Sequence, residues 1–395
     1  MEKATRRDFL RLGACAATVA PIVGLGESGV KPSKSGLPAW AEREIETAAR
    51  RYEAWKGTDE TMAFVYTTDV HSYVIGISDP PNYKDPKMHV PLAIRCADRI
   101  GADFSADLGD LEIDIEARTP ESLKRRIDNI VTLYGPGTKR RPCLFCVGNH
   151  DHGWRYRAKG AEMPVSNRRF GEAFNGLSVR AGHRLTLSDD MSWGCYDVPG
   201  KKMRVFFLNT SDGEMYYGIS PEQLKFVAEG LGSLEPGWQA LMLMHFCIHV
   251  PMGAAHVAMY TGCRNSKVLI RMVEDFVWRA KGSGEGVSWD FTRADGLFAG
   301  FFCGDSHYSG ECEQNFIPYT LSQGYGYSGR QAYGGRFVKF DSSENCLFEI
   351  AAFKPAKAEA HVFRVGAGGA EQDRAYLYDR TGIEKCGGRR WYANS

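Results

Sequence analysis

Five short apolar runs in this chain each stop abruptly at side chains that carry lone pairs. Met62 to Thr68 leads to Asp69 and His71, and Ala102 to Leu108 leads to Gly109-Asp110. Pro142 to Val147 leads to Gly148-Asn149-His150-Asp151. Gln239 to Met244 leads to His245, and Leu297 to Cys303 leads to Gly304-Asp305-Ser306-His307. Runs of that length, rich in Val, Phe, Leu and Met and bounded by Gly and polar residues, read as buried strands. Between them lie amphipathic stretches. Helices are expected over Trp40 to Trp55, Val90 to Ile100, Pro120 to Leu133 and Lys267 to Lys281, and one starting at Ser220-Pro221. Strands that alternate with helices build a mostly parallel sheet with right-handed crossovers. Such sheets gather their sites at the carboxyl ends of the strands. All five polar termini therefore fall where they can converge.

The residue types at those termini share one chemistry. Carboxylates, imidazoles and an amide oxygen together suit Mn, Fe, Zn or similar ions. Residues two apart on an extended chain point the same way, so Asp69 and His71 can reach one ion, as can Asp305 and His307. Taken singly, each of these residues also fits a turn or a cap, since Gly, Asn and Asp favour turns. It is the repetition at five strand ends that singles them out.

The rest of the chain narrows the setting. A formal net charge of +1 over 395 residues argues against a nucleic-acid surface spread over the molecule. At the start, Thr5-Arg6-Arg7-Asp8-Phe9-Leu10 precedes a small, apolar, uncharged stretch from Leu12 to Gly26. It resembles a twin-arginine export signal. Leu12-Gly13-Ala14-Cys15 also looks like a lipid-attachment box, but it lies too close to Arg7 for a normal apolar region, which leaves lipidation the lesser reading. No later run reaches the ~18 apolar residues of a membrane span, so a periplasmic or secreted soluble protein is expected. Eleven cysteines would ordinarily suggest disulfides outside the cytoplasm. Cys96, Cys143, Cys146, Cys247 and Cys303 lie instead in apolar patterns, where free thiols pack well.

The order Asp-x-His, Gly-Asp, Gly-Asn-His-Asp, His, Gly-x-x-His resembles the calcineurin-like metallophosphoesterase superfamily over about Met62 to Phe340. The resemblance implies an α/β fold, a four-layer αββα sandwich of two mixed sheets flanked by helices. It also implies two metal ions, divalent or trivalent (Mn, Fe, Zn, Mg or Ca). Carried over by position, Asp69, His71 and His307 would hold the first ion, and Asp110 would bridge the two. Asn149, His245 and Asp305 would hold the second. His150 would protonate the leaving group, with Asp151 orienting it. Asp305 departs from the superfamily, which has His there. The implied activity is metal-dependent hydrolysis of phosphomonoesters or phosphodiesters on a small phosphate-ester substrate. A nuclease, a lipid-headgroup phosphodiesterase and a non-catalytic binding protein on the same fold are the alternatives.

The expected organisation is a signal over 1–30, a linker and helix over 31–61, the catalytic domain over 62–357 and a C-terminal extension over 358–395. The stretch from Asp151 to Pro199 reads as one long irregular loop carrying Arg155, Arg157, Arg168 and Arg169. His249, His256, Tyr325, Tyr327 and Tyr333 are weaker candidates for lining a pocket.

Overall fold

A computed structural model describes residues 37–70, 86–111, 119–153, 164–211, 217–246, 263–305, 310–314, 317–321 and 347–379. The expected export signal, His71, His307, Arg155, Arg157, His249, His256 and the three tyrosines lie outside the described residues. In chain order the elements are α1 (Ala39–Lys56), β1 (Met62–Thr67), α2 (Pro86–Ile100), β2 (Phe104–Asp107), α3 (Pro120–Thr138), β3 (Cys143–Phe145), α4 (Asn167–Ala173) and α5 (Asn175–Arg180). There follow β4 (Thr186–Leu187), β5 (Gly194–Val198), β6 (Met203–Leu208), α6 (Pro221–Gly232), β7 (Gln239–Met244), α7 (Ser266–Val277), β8 (Lys281–Gly284), β9 (Val287–Asp290) and β10 (Leu297–Cys303). The last strands are β11 (Gly310–Gln314), β12 (Ile317–Leu321), β13 (Leu347–Lys354), β14 (Glu359–Gly366) and β15 (Arg374–Leu377).

These strands form two large mixed sheets and one small hairpin. The first sheet runs β15-β14-β13-β1-β2-β3, and the second runs β11-β12-β10-β7-β6-β5-β4. In the first sheet β1, β2 and β3 are parallel, and β13 joins β1 antiparallel. In the second, β6, β7, β10 and β12 are parallel. The pleat explains how β1, buried at every position, serves two cores. Phe64 and Tyr66 face the second sheet, meeting Phe207, Leu243 and Phe302. Ala63 and Val65 face Ile45 and Tyr52 of α1 and Cys96 of α2. Helices α6 and α7 cover the outer face of the second sheet, against Phe206, Met242 and Phe301. The result is the four-layer order of helix, sheet, sheet and helix.

Three expectations need correction. The boundary placed at Lys357 falls inside the first sheet, because β14 pairs with β13 from Leu347↔Gly366 to Lys354↔Glu359, and β15 pairs with β14. The polar, Gly-rich composition after Lys357 hid strands whose buried faces are Ala360, Val362 and Val365. The stretch from Asp151 to Pro199 carries α4, α5, β4 and β5 among its described residues. The last expected helix ends at Val277, and the chain turns back as the β8-β9 hairpin.

Helix α5 also explains how the short edge strand β3 is held. Asn175 Oδ1 accepts from the Phe145 amide at 2.9 Å, and its Nδ2 donates to the Phe145 carbonyl at 3.1 Å. Ser178 Oγ accepts from the Cys143 amide at 2.9 Å and donates to the Cys143 carbonyl at 2.8 Å. Two side chains thus stand in for a neighbouring strand, satisfying an edge that would otherwise invite pairing. That edge delivers Gly148-Asn149-His150.

Candidate metal centre

Five strand ends from both sheets meet at one point. Asp69 follows β1, Asp110 follows β2, Asn149 and His150 follow β3, His245 follows β7 and Asp305 follows β10. Asp69, Asp110 and Asp305 all adopt left-handed backbone angles, with φ of 51°, 55° and 61°. Outside glycine this region is sparsely used, and Asp is among the residues that tolerate it. The turn reverses the backbone just past the strand and aims each carboxylate back at the sheet end. Such strain concentrates at functional sites.

The described side chains pack closely. Ligand atoms of Asp69, Asp110 and His245, all buried, lie within 4.8 Å of one another. His245 Nε2 stands 3.2 Å from Asn149 Oδ1, 3.4 Å from Asp110 Oδ2 and 3.6 Å from Asp305 Oδ1. Donors sharing one ion at about 2.1 Å stand roughly 3.0–3.5 Å apart. The spacing is therefore that of a coordination shell. The other ring nitrogen, Nδ1, bonds the Leu108 carbonyl at 2.8 Å. It must donate there, which leaves Nε2 as the lone-pair atom, the usual way a neighbour fixes a ligating tautomer.

Two observations test whether the residues fit cations. Asp305 Oδ2 is buried with no hydrogen-bond partner, and a carboxylate oxygen is costly to leave so. Burial on its own would push the His245 imidazole down, but the Asp110 and Asp305 carboxylates hold it well above its usual range. The carboxylates around the ring therefore favour positive charge in the pocket, and a cation held at Nε2 would take the place of a proton there. Three carboxylates, an amide oxygen and one imidazole fit hard or borderline divalent ions.

The glycines of the motifs are spatial necessities. A Cβ on Gly148 would stand 2.1 Å from the Asp110 amide nitrogen and 2.2 Å from Asp110 Oδ1. On Gly304 it would stand 1.9 Å from Thr68 Oγ1. Backbone passes within contact of the ligands there, and any side chain would displace them.

His150 sits at the rim. Its side chain is 15% exposed, and its Nε2 lies 3.9 Å from Asp110 Oδ2. Its amide donates to Asp110 Oδ1 at 2.9 Å. Asp151 is fully buried and takes two amides on one oxygen, Gly148 at 2.8 Å and Asp110 at 2.9 Å. Through those bonds it orients the main chain that carries Asn149, His150 and Asp110. Burial, together with the Asp110 charge, pushes its carboxyl well above the usual range. Sequence reasoning passed over Thr68, whose hydroxyl donates to Asp69 Oδ2 at 2.6 Å, and Asp107. Asp107 falls on the polar side of an alternating strand, Asp103-Phe104-Ser105-Ala106-Asp107, so its burial left no signal in the sequence.

Comparison with solved structures places the fold among known proteins. A dimetal phosphatase from Danio rerio superposes with TM-score 0.54 at 13% identity, covering 80% of this chain and 99% of that one. The purple acid phosphatase PPD1 of yellow lupin superposes with TM-score 0.50 at 11% identity, covering 85% of this chain and 57% of that one. The fold is that of the calcineurin-like phosphoesterases. No family model and no curated protein matches the sequence itself. Among the described residues, no helix is long and apolar enough to cross a membrane.

Proposed function

We propose that the chain is an exported, binuclear metal-dependent phosphoesterase that hydrolyses small phosphomonoesters or phosphodiesters. One observation carries the reading: His245 Nε2 stands 3.2–3.6 Å from oxygens of Asn149, Asp110 and Asp305, the spacing of donors to one ion, inside a fold shared with a dimetal phosphatase. Asn149, His245 and Asp305 are assigned to one ion, Asp69 to the other with His71 and His307, and Asp110 to both. Ions held there supply charge neutralisation on the phosphoryl oxygens and lower the pKa of a water.

The chain's own residues do the rest. Three buried carboxylates hold the centre at a fixed spacing, so the phosphoryl group meets a preorganised field. His150, partly exposed at the rim beside Asp110, protonates the departing alkoxide. Asp151 sets its place through the loop amides. Export by the twin-arginine signal is supported by Arg6-Arg7 and the uncharged stretch behind it, and a periplasmic or secreted location follows from that signal.

Purified protein is assayed for bound metal and for hydrolysis of para-nitrophenyl phosphate and its bis-ester. Two ions per chain, with activity lost on chelation and restored by metal, is the expected result. A chain that binds two ions and cleaves neither ester is a binding protein, and the enzymatic reading falls. His150→Ala is expected to lose most activity on esters with poor alkoxide leaving groups while keeping both ions. Equal loss on aryl and alkyl esters removes it from the proton-donor role.

A further inference from the structure

We propose that Asp107 is the positioning residue of this centre, setting the Leu108-Gly109-Asp110 turn that aims three of its ligands. The inference rests on the metal-binding reading above. Asp107 closes β2 and is fully buried. Its Oδ1 accepts from the Gly109 amide at 3.0 Å. Its Oδ2 accepts from Thr67 Oγ1 at 2.5 Å and from Tyr134 OH at 2.6 Å. One carboxylate thus ties together the end of β1, helix α3 and the turn after β2.

The carbonyls of Leu108 and Gly109, and the amide and side chain of Asp110, then serve the centre. The Leu108 carbonyl holds His245 Nδ1 at 2.8 Å. The Gly109 carbonyl accepts from the Asp69 amide at 2.8 Å. Asp110 is itself a ligand, and its amide is held by Asp151. Gly109 has φ of 100°, a conformation with no steric preference of its own to keep the turn in place. The Asp107 bond to its amide supplies that preference. Phe104, Ala106 and Leu108, on the other face of the chain, pack in the apolar core between the sheets.

The arrangement predicts which substitutes work. An asparagine can offer its oxygen to the Gly109 amide, while its NH2 donates to the Thr67 and Tyr134 hydroxyls, which turn to accept. An alanine leaves an amide and two hydroxyls around a void. Loss of such a supporting bond costs a metal site about ten- to a hundredfold in affinity.

The test is Mn2+ titration of the chelator-stripped full chain by calorimetry, with stoichiometry from elemental analysis. Asp107→Ala is expected to bind about ten- to a hundredfold more weakly, and Asp107→Asn within about threefold of the parent. Val227→Ala, in the core under α6, serves as the control: it lowers the melting temperature and leaves Mn2+ affinity unchanged. Asp107→Ala with parental affinity, or with a loss no greater than Val227→Ala, overturns the inference. So does Asp107→Asn as weak as Asp107→Ala. Should Asp107→Ala fail to fold, Tyr134→Phe decides, with about tenfold weaker binding expected and binding within about threefold of the parent overturning the inference. A parent that binds no Mn2+, Zn2+ or Mg2+ removes the metal reading and this inference together, whereas a parent that binds while the variants match it removes this inference alone.

Discussion

Two clusters of buried charge sit at the same end of the first sheet, and they are balanced in opposite ways. Around Glu349 on β13, the protein supplies its own cations. Arg374 meets both carboxylate oxygens at 2.8 Å, Arg364 meets one at 2.9 Å, and the Tyr66 hydroxyl donates to the other. Nearby, Arg51 pairs with Asp373 at 2.8 Å. Around His245, Asp69, Asp110 and Asp305 converge on a single imidazole. The first cluster is complete within the chain. Among the described residues the second sets three carboxylates around one imidazole, and burial makes such a gathering of like charge expensive. A buried charge cluster that closes on itself supports a fold. One left open in sign calls for an ion from outside.

The widest separation between the two should appear on removing their central carboxylates. Asp110→Asn is expected to cost several kcal/mol of transition-state stabilisation, on the order of a thousandfold in kcat/KM on para-nitrophenyl phosphate. The metal-free fold should survive, by circular dichroism and thermal melting. An Asp110→Asn protein with unaltered turnover would place the centre elsewhere. Glu349→Ala should do the reverse. Leaving Arg364 and Arg374 buried without their shared anion should cost about 3–5 kcal/mol in urea unfolding. Specific activity per folded molecule should hold. Activity falling faster than folded fraction would show that the two clusters are coupled.

Acid separates them next. Burial alone would raise the Glu349 carboxyl, but the Arg374 and Arg364 guanidiniums outweigh it and hold it at about 2, against 4.5 for an ordinary Glu. The unfolded chain therefore binds a proton that the folded chain does not, between those two values. The stabilisation is full above pH 4.5 and is lost as pH falls through that window to about 2, an amount of about 3 kcal/mol. Glu349→Gln has no such carboxyl to titrate. Unfolding free energies of parent and variant, both metal-free, should converge as pH drops from 5 to 2. Parallel curves would mean that Glu349 does not titrate as its neighbours dictate.

How legible these two clusters were in the sequence differs for a physical reason. The open one announces itself, because each of its members ends an apolar run, and burial on one side with polar groups on the other leaves a pattern that a single strand reveals. Asp69, Asp110, Asn149, His245 and Asp305 could all be read that way, as could the strands that hold them. The closed cluster leaves no such trace. Glu349, Arg364 and Arg374 lie in strands whose partners are set by long-range pairing, and Arg364 and Arg374, in a polar, Gly-rich stretch, look like solvent-facing surface. The same effect concealed β14 and β15. Helix α5 was hidden for another reason: Asn175 and Ser178 carry its function by bonding a strand edge some 30 residues earlier, which neither hydrophobic period nor capping rule encodes.

The finest test of the contrast is Asp305→Asn. Asp305 has a side chain 6% exposed, left-handed backbone and one buried oxygen without a hydrogen-bond partner. Its amide donates to Asp69 Oδ2 at 2.9 Å, a bond the substitution leaves untouched. Asparagine has nearly the same shape, so packing should persist, and the change is one of charge alone. In the metal-free protein, removal of an anion that repels Asp69 and Asp110 is set against loss of its attraction to His245. The net effect on unfolding free energy should be less than about 1 kcal/mol, far below that of Glu349→Ala. Binding should respond more. A tenfold loss of affinity for one ion removes about 1.4 kcal/mol from the stabilisation that saturating Mn2+ confers. The two quantities come from paired thermal melts with chelator and with Mn2+. A metal-free loss as large as that of Glu349→Ala, with an unchanged Mn2+ shift, would make Asp305 a structural residue like Glu349. Near-parental melting in chelator with a reduced Mn2+ shift would place Asp305 among the ligands, because only a group that needs an ion from outside is felt when that ion arrives.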